Sequence, residues 1–183
     1  MKITIIGSGD LEKIEKFGKV SKNNLIELLE DVAKLLVNLN CEIIILPAQG
    51  IPYEFAKLYK KFGGKKVNGV IPVKCNFYGE YTDKIIGSYL DIIDEKIEFD
   101  SWYDVDGNIA TLGDATICFG LSSGVMAEIS LMKYNLLYKK RKTKLFIFEN
   151  IISNRLAKEI EVDINLDYVS GVDELAEKLK TLK

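Results

Sequence analysis

The pattern of hydrophobic and polar positions predicts short buried strands that alternate with amphipathic helices. Five runs are almost wholly apolar, as expected of strands covered on both faces: Lys2–Ile6, Glu42–Leu46, Val67–Val73, Ala115–Phe119 and Lys144–Phe148. Four helices are predicted between and after these strands, either because apolar residues recur every three or four positions or because helix start and stop signals are present. They are Asn23–Leu39, Pro52–Phe62, Val125–Tyr138 and Val172–Leu182. This alternation predicts an α/β fold, a Rossmann-like three-layer sandwich whose mostly parallel sheet carries helices on both faces.

The intervening segments give weaker patterns. Residues 11–21 are polar and predict at most one helical turn, and Tyr168–Val169 predicts a short edge strand. The pattern also predicts a loop at Tyr78–Tyr81 and a strand or short helix at Ile85–Ile93. It predicts a short strand at Ile97–Tyr103 that leads into a turn at residues 106–108, a helix or loop at Ile109–Gly113, and a short helix at Ile151–Lys158. No linker or repeat interrupts the chain, so we expect a single domain over residues 1–183.

Composition excludes several classes of function. The net charge of −2 gives no basic excess for nucleic-acid or membrane binding, and no apolar run approaches the roughly 18 residues of a membrane span. The first apolar run is soon interrupted by Gly and Asp, which argues against a signal peptide and predicts a cytoplasmic protein. Abundant Lys, Glu and Ile beside a single Gln hint at a thermophilic source.

The chain contains no histidine, which removes the usual general base, the Ser-His-Asp triad and most zinc sites. Cys41, Cys75 and Cys118 are widely spaced and form no CxxC pair, so we interpret them as small buried apolar residues. No metal site is predicted. Any catalysis would therefore depend on carboxylates, Lys, Tyr, Cys or backbone dipoles.

The most informative segment is TICFGLSSGVMAE, from Thr116 to Glu128, which reads as strand, small-residue turn and helix. The small side chains of Gly120, Ser122, Ser123 and Gly124 let backbone N–H groups approach a ligand. The following helix directs its positive dipole end to the same place. The segment therefore predicts an anion site, such as a phosphate cradle, with the Glu128 carboxylate nearby. A turn without a ligand, and a carboxylate that only complements the helix dipole, remain the alternatives. The G-x-S-x-G pattern within it would need a histidine base to act as a hydrolase elbow.

Two further strand-to-helix loops should lie at the same sheet edge, where ligands of open α/β sheets bind. Gly7-Ser8-Gly9 begins a dinucleotide fingerprint, but Glu12 replaces its third glycine and the second strand ends in Ala48-Gln49 rather than an acid. We therefore predict a tight turn or a general phosphate- or ribose-contacting loop instead of a standard NAD site. Lys139–Lys142 is interpreted as a solvated helix end, with phosphate contact as the alternative, and Asp114 as a helix cap or strand-entry residue.

The chain resembles a known group of proteins through several stretches: KITIIGSG, EIIILPAQG, FGGKKVNGVIP and LGDATICFGLSSGVMAEI. These resemble the Lonely Guy-type, lysine-decarboxylase-like Rossmann proteins of the SLOG superfamily, which includes molybdenum-cofactor carriers. Asp114, Ala115, Gly124 and Glu128 match that group's signature. Its Pro-Gly-Gly is Gly120-Leu121-Ser122 here, its Thr is Val125, and Trp102–Asp114 lacks the arginine of its hydrolases.

The resemblance implies a small-molecule binding protein, a carrier or sensor of a phosphate-containing, AMP-like nucleotide or of a molybdopterin-type cofactor. The net charge of −2 predicts no nucleic-acid or membrane partner. One alternative is a phosphoribohydrolase that cleaves nucleoside 5′-monophosphates to base and ribose 5-phosphate with Glu128 as the catalytic residue. Another is a non-catalytic scaffold acting through contacts in a homodimer or larger homo-oligomer. The predicted binding residues are Gly7, Ser8, Gly9, Ala48, Gln49, Gly50, Gly120, Leu121, Ser122, Ser123, Gly124, Val125 and Glu128.

Overall fold

The computed structural model describes residues 1–73 and 86–182. Seven strands form one sheet in the order β4-β3-β2-β1-β5-β6-β7, and every neighbouring pair is parallel. The strands are β1 (Lys2–Gly7), β2 (Glu42–Ile45), β3 (Val67–Pro72), β4 (Glu95–Phe99), β5 (Ala115–Phe119), β6 (Lys144–Phe148) and β7 (Leu166–Val169). The Rossmann-like α/β fold predicted from the alternating pattern is confirmed.

The helices connect the strands as right-handed crossovers require. They are α1 (Leu11–Phe17), α2 (Lys22–Asn38), α3 (Ile51–Lys61), α4 (Trp102–Asn108), α5 (Ser123–Tyr138), α6 (Lys158–Glu161) and α7 (Val172–Lys180), with 3₁₀ turns at Gly87–Ile92, Ile109–Thr111 and Glu149–Ile151. Because the strand order runs in opposite directions on the two sides of β1, right-handed connections place α2 and α3 on one face and α5 on the other. The contacts agree, since α2 packs on α3 and α7, whereas α5 packs on α4.

The core follows from the apolar strands. Ile3 and Ile5 of β1, Ile43 of β2, Ile117 of β5 and Leu145 of β6 have no exposed surface. Helix α2 adds one apolar face, on which the fully buried residues are Leu25, Leu29, Val32, Ala33 and Leu36. Strands covered on both faces lose their alternation and become continuous apolar runs, which is why these segments could be predicted. In the part of the chain that the structure describes, no helix is long and apolar enough to cross a membrane.

Several irregular segments differ from the sequence predictions. Residues 11–17 form a two-turn helix rather than at most one turn, because Asp10 caps its first N–H groups and Ile14 is buried. The predicted turn at residues 106–108 was wrong: these residues end α4, a helix that Ser101 caps through a hydrogen bond from the Asp104 N–H. Strand β4 starts at Glu95, before the predicted Ile97.

The predicted short helix at Ile151–Lys158 was also wrong, since only a 3₁₀ turn at Glu149–Ile151 precedes the later helix α6. The irregular segment between them is held by the Tyr168 hydroxyl, which accepts a hydrogen bond from the Leu156 N–H at 2.8 Å. Ile85–Ile93 is described only from residue 86, and residues 87–92 form a 3₁₀ turn. The predictions for Tyr78–Tyr81 and Cys75 fall outside the described residues.

The sheet reverses its order between β1 and β5, which are neighbours although more than 100 residues separate them. Their register pairs Gly7 with Phe119, so both strands end at the same level. The chain then leaves β1 toward one face and β5 toward the other. A crevice at the carboxyl ends of these two strands is the expected ligand position in an open α/β sheet.

Candidate functional site

A cavity of about 170 Å³ occupies this crevice between β1 and β5. All three strand-to-helix loops singled out in the sequence reach it, together with α4 and the first turns of α3 and α5. Its lining residues are Ile5, Ile6, Gly7, Gly9, Leu46, Ala48, Gln49, Pro52, Asp106, Ile109, Ser122, Gly124, Val125 and Glu128. Eight of the thirteen predicted binding residues therefore lie around one cavity.

The other five predicted residues lie beside the cavity and support its loops. Ser8 is buried, and its hydroxyl donates to the Asp10 carbonyl oxygen and accepts from the Asp10 N–H. Leu121 packs against the core, and Ser123 is exposed at the start of α5. The last two are Gly50 and Gly120, whose small size serves the packing of the loops.

The glycines of the three loops have different structural reasons. Gly50 has a φ of +96°, and a Cβ there would lie 2.4 Å from the Gly9 Cα, so glycine permits the loops after β1 and β2 to touch. A Cβ on Gly7 would meet Ile51 and the Phe119 carbonyl oxygen at 2.6 and 2.7 Å. Gly124 is different, since the nearest atom to its Cβ position is the Ser122 hydroxyl at 3.9 Å. Only at Gly124, among these, does the missing side chain leave open space.

The N-terminus of α5 combines that space with hydrogen-bond donors. Ser122 is its N-cap, and the hydroxyl oxygen accepts from the Val125 N–H at 3.3 Å. The first N–H groups of a helix have no acceptor within it, so those of Ser123 and Gly124 remain for a ligand. The cap is neutral, and the first turn of α5 contains no acidic residue. The positive end of the helix dipole is therefore not offset by a carboxylate in its own first turn.

The helices that follow β1 and β2 offer no such end. The Asp10 carboxylate caps α1, accepting from the N–H groups of Glu12 and Lys13 at 3.0 and 3.3 Å. In α3, Pro52 has no N–H, and the Ile51 N–H already donates to the Ser8 carbonyl oxygen. Of the helices that follow β1, β2 and β5, α5 alone combines a neutral side-chain cap with open amides in its first turn.

Glu128 lies one turn after Gly124 on the same side of α5, because residues four apart share a helix face. The side chain is 8% exposed and lines the cavity. Its Oε2 atom is the one buried side-chain oxygen or nitrogen without a hydrogen-bond partner within residues 1–73 and 86–182. An unsatisfied buried carboxyl oxygen costs free energy, so its position in a cavity points to a group that would bind it.

The electrostatic surroundings favour the protonated form of this carboxyl group. Burial, and to a smaller extent the nearby Asp106 carboxylate, raises the pKa of Glu128 to about 8. Burial also raises the pKa of Asp106 above its ordinary value. None of the described lining residues is Lys or Arg. The cavity thus has an acidic end at Asp106 and Glu128 and an anion-attracting end at the start of α5.

Asp106 was missed in the sequence because its segment was assigned to a turn. The helix α4 that carries it is short, and its signal was the Ser101 cap followed three residues later by Asp104. This pattern predicts a helix start, and the helix then projects Asp106 to the cavity while Val105 and Asn108 are buried.

Two other predicted features lie at the opposite, amino edge of the sheet. Asp114 precedes β5, and its Oδ2 atom accepts from the Lys2 N–H at 2.7 Å, which agrees with the strand-entry interpretation. Helix α5 ends at this edge, where Lys139 donates to Asn108 and Arg141 to Thr111. An open depression of about 880 Å³ lies there. Helix α5 is about 24 Å long, so these cations at its C-terminal end do not reach the Glu128 cavity.

The described residues include no group of three His, Cys, Asp or Glu side chains placed to hold a metal ion. Cys41 and Cys118 are buried thiols. Cys118 lies near Glu128. Burial, together with the Glu128 carboxylate, raises the pKa of the Cys118 thiol above the ordinary value. A neutral thiol at this position acts as a packing residue.

The fold is shared with solved structures along almost the whole chain. The molybdenum cofactor binding protein from Rippkaea orientalis is 14% identical, with a TM-score of 0.68 and coverage of 99% of this chain and 96% of that one. The Moco carrier protein from Chlamydomonas reinhardtii is 18% identical, with a TM-score of 0.66 and the same coverage. DNA processing protein A from Helicobacter pylori, described for its single-stranded DNA binding mode, is 17% identical, with a TM-score of 0.57 and coverage of 99% and 80%.

No protein-family model and no curated protein sequence matches the chain. At these levels of identity the structural likeness establishes the fold alone.

Proposed function

We propose that this protein binds a phosphate-bearing nucleotide or a nucleotide-like cofactor and acts as a carrier or sensor of the SLOG type. The observation that carries the proposal is the buried, unpartnered Oε2 of Glu128 in a cavity whose other end is the open start of α5. Phosphate would bind the Ser123 and Gly124 amides, and the organic part would extend toward Glu128. The acidic end of the cavity, at Asp106 and Glu128, disfavours a phosphate, so the phosphate and the organic part of the ligand must bind at different ends.

The size of the cavity supports the binding of one end of such a ligand. Pockets that hold drug-sized molecules usually measure about 300–1,000 Å³, whereas this cavity measures about 170 Å³. A second depression of about 440 Å³ adjoins it and shares Gly9 and Gln49. We expect the ring system in the cavity and the remainder of the ligand along its mouth.

The neighbours support the same chemistry. Two of them are named for the molybdenum cofactor, which contains a pterin and a phosphate, and the third for single-stranded DNA, whose every nucleotide carries a phosphate. The acidic cavity and the net charge of −2 favour a small ligand over a DNA strand in this chain. A cytoplasmic location agrees with such a role and stays a prediction.

The proposal is tested by comparing nucleoside 5′-monophosphates with the matching nucleosides in thermal unfolding and calorimetry. A ligand specific for the folded state at 100 times its Kd stabilises by about 2.7 kcal/mol, so the phosphate-dependent part is measurable. Gly124→Trp should abolish the shift by filling the cavity mouth. Gly171→Trp is the matched control, because Gly171 lies at the start of α7, as Gly124 lies at the start of α5, and has no atom near its Cβ position. Equal shifts for nucleotides and nucleosides would reject the phosphate site.

The phosphoribohydrolase remains the enzymatic alternative because Glu128 adjoins the place where the sugar would lie. A carboxyl group with a pKa near 8 could donate a proton to a departing base. The described lining residues include no Lys or Arg to hold the substrate, which favours binding over turnover. Release of free base from AMP or GMP by the wild type, and its loss in Glu128→Gln, would establish the enzyme.

We also propose that the chain self-associates through the exposed face of α5. Leu131, Tyr134, Leu137 and Tyr138 are between 37% and 73% exposed, and the two tyrosine rings stack on each other. Met132 on the same helix is buried and belongs to the core. Light scattering of the wild type and of Tyr134→Glu tests this, and a monomeric wild type would reject it.

A further inference from the structure

We propose that Asp106 and Glu128 form a two-carboxyl subsite for the 2-amino-4-oxopyrimidine edge that guanine and pterins share. This inference rests on the proposed function and names the class of ring that the cavity takes. Both side chains line the same cavity, one from α4 and the other from α5. Asp106 thereby becomes a specificity-determining residue.

The carboxyl groups of Asp106 and Glu128 hold one proton between them at neutral pH. Two carboxylates that share a partly buried site repel each other, and one of them retains its proton at neutral pH. Glu128 is the more buried of the two and is the one that Asp106 pushes toward the neutral form. The pair therefore carries one O–H donor and several acceptor oxygens.

The hydrogen-bonding groups of this carboxyl pair complement those of a 2-amino-4-oxopyrimidine ring. A 2-amino-4-oxopyrimidine edge presents one acceptor, the ring carbonyl oxygen, beside two donors, the ring N–H and the exocyclic amino group. A protonated Glu128 can donate to the carbonyl oxygen, while the remaining carboxyl oxygens accept from the two nitrogens. Hydrogen bonds to an ionised acceptor are stronger than neutral ones, which offsets the burial of Asp106 on ligand binding.

Other common rings match the pair less well. Adenine offers one donor and one acceptor, which satisfies a single carboxyl group and leaves the second unpaired. Hypoxanthine lacks the exocyclic amino group. Leaving a buried acceptor without a donor costs affinity, and sites built to bind an N–H group discriminate strongly against analogues that lack it. Leu46, Ile109 and Val125 supply apolar walls for a flat ring.

The test measures Kd by calorimetry for GMP, IMP, AMP and 6-hydroxymethylpterin phosphate, with ribose 5-phosphate as the reference without a ring. We expect GMP, the pterin phosphate or both to bind at least tenfold more tightly than IMP and AMP. Asp106→Asn replaces an acceptor by a donor at constant size, so the preference should fall below threefold while ribose 5-phosphate still binds. Glu128→Gln should reduce it as well, and thermal unfolding verifies that each variant is folded.

Asp104→Asn is the matched control, since Asp104 lies on the same helix, is exposed and does not line the cavity. It should keep the full preference. A preference of the pterin alone or of GMP alone supports the inference and identifies the source of the ring. Equal affinity for GMP, IMP, AMP and the pterin phosphate would overturn the inference and leave the phosphate site intact. Failure of every phosphate compound to bind would overturn both.

Discussion

The loops that follow β1 and β5 look alike in sequence and differ in what they can bind. Both are rich in glycine and serine, both end neighbouring strands, and both lead into a helix. Asp10 closes the first helix with a carboxylate, whereas Ser122 caps the second with a neutral hydroxyl. Glycine in these loops therefore marks the close approach of backbone segments, whereas the charge of the cap determines whether the start of the helix can bind an anion.

The two loops also differ in the environment of the nearest carboxyl group, which is Asp10 after β1 and Glu128 after β5. The Asp10 carboxylate is exposed and satisfied by backbone N–H groups, while Glu128 is buried with one oxygen unpartnered. The β5 side of the crevice therefore has a buried carboxyl oxygen without a hydrogen-bond partner, which costs stability. This contrast is common at functional sites, where a local rule of folding is broken and the fold elsewhere compensates.

The largest effect that we expect is a pH-dependent loss of stability from Glu128. Its pKa is about 8 in the folded chain and near 4.5 in the unfolded one, so the folded state holds one more proton between these values. Stability therefore falls as the pH rises from about 4.5 to 8, by roughly 3–5 kcal/mol, and levels off above that range. Asp106 on α4 changes stability in the same direction, and the Cys118 thiol on β5 stays neutral.

Urea unfolding of the wild type and Glu128→Gln between pH 5 and 9 measures this contribution. The variant cannot ionise at this position, so the difference in unfolding free energy should grow in its favour with pH. A difference that is constant across this range would show that the Glu128 carboxyl group is not held in a desolvated site.

The second expected effect separates the glycines of the two loops. A Cβ on Gly7 would overlap Ile51 and the Phe119 carbonyl oxygen, so Gly7→Ala should destabilise by about 1–3 kcal/mol. Gly124→Ala meets no atom closer than 3.9 Å and adds a better helix former to α5. Its stability should be unchanged or higher by up to about 1 kcal/mol. Urea unfolding measures both, and an equal loss in the two variants would contradict the assignment of Gly124 to open space.

The sequence predicted the layers of the molecule well because the buried strands are continuous apolar runs. Such a run is typical of a strand covered on both faces, and its short length favours a strand over a helix, so Glu42–Leu46 and Lys144–Phe148 could be located. The meeting of the three loops at one edge followed from the direction of the strands. Helix α4 could not be predicted in this way, because only Val105 and Asn108 on it are buried and no apolar repeat forms.

The identity of the candidate site was predictable in part. Glu128 and Gly124 belong to the strand-turn-helix segment, whose geometry is local, and both line the cavity. Asp106 reaches that cavity through a tertiary contact between α4 and α5 that no local pattern encodes. The distinction between Gly7, which packs, and Gly124, which faces open space, also depends on neighbours that are distant in sequence.

The smallest effect is expected when the helix caps of the two loops are exchanged, which tests the difference between the loops most directly. Ser122→Asp gives α5 the cap of α1, and Asp is as good an N-cap as Ser, so the fold should be retained. The added carboxylate would offset the helix dipole and repel a phosphate at the Ser123 and Gly124 amides. We expect the affinity for ribose 5-phosphate to fall about tenfold, or about 1.4 kcal/mol, as measured by calorimetry.

The reciprocal change, Asp10→Ser, removes the carboxylate from α1 and should alter that affinity by less than twofold. Helix α1 has only seven residues and keeps Glu12 in its first turn, so a neutral cap does not turn it into an anion site. If Asp10→Ser gained a second phosphate site, or if Ser122→Asp bound ribose 5-phosphate as well as the wild type does, cap charge would not be the deciding difference. The loops would then have to be distinguished by their shape alone, and Gly124, with its open Cβ position, would be the residue on which that distinction depends.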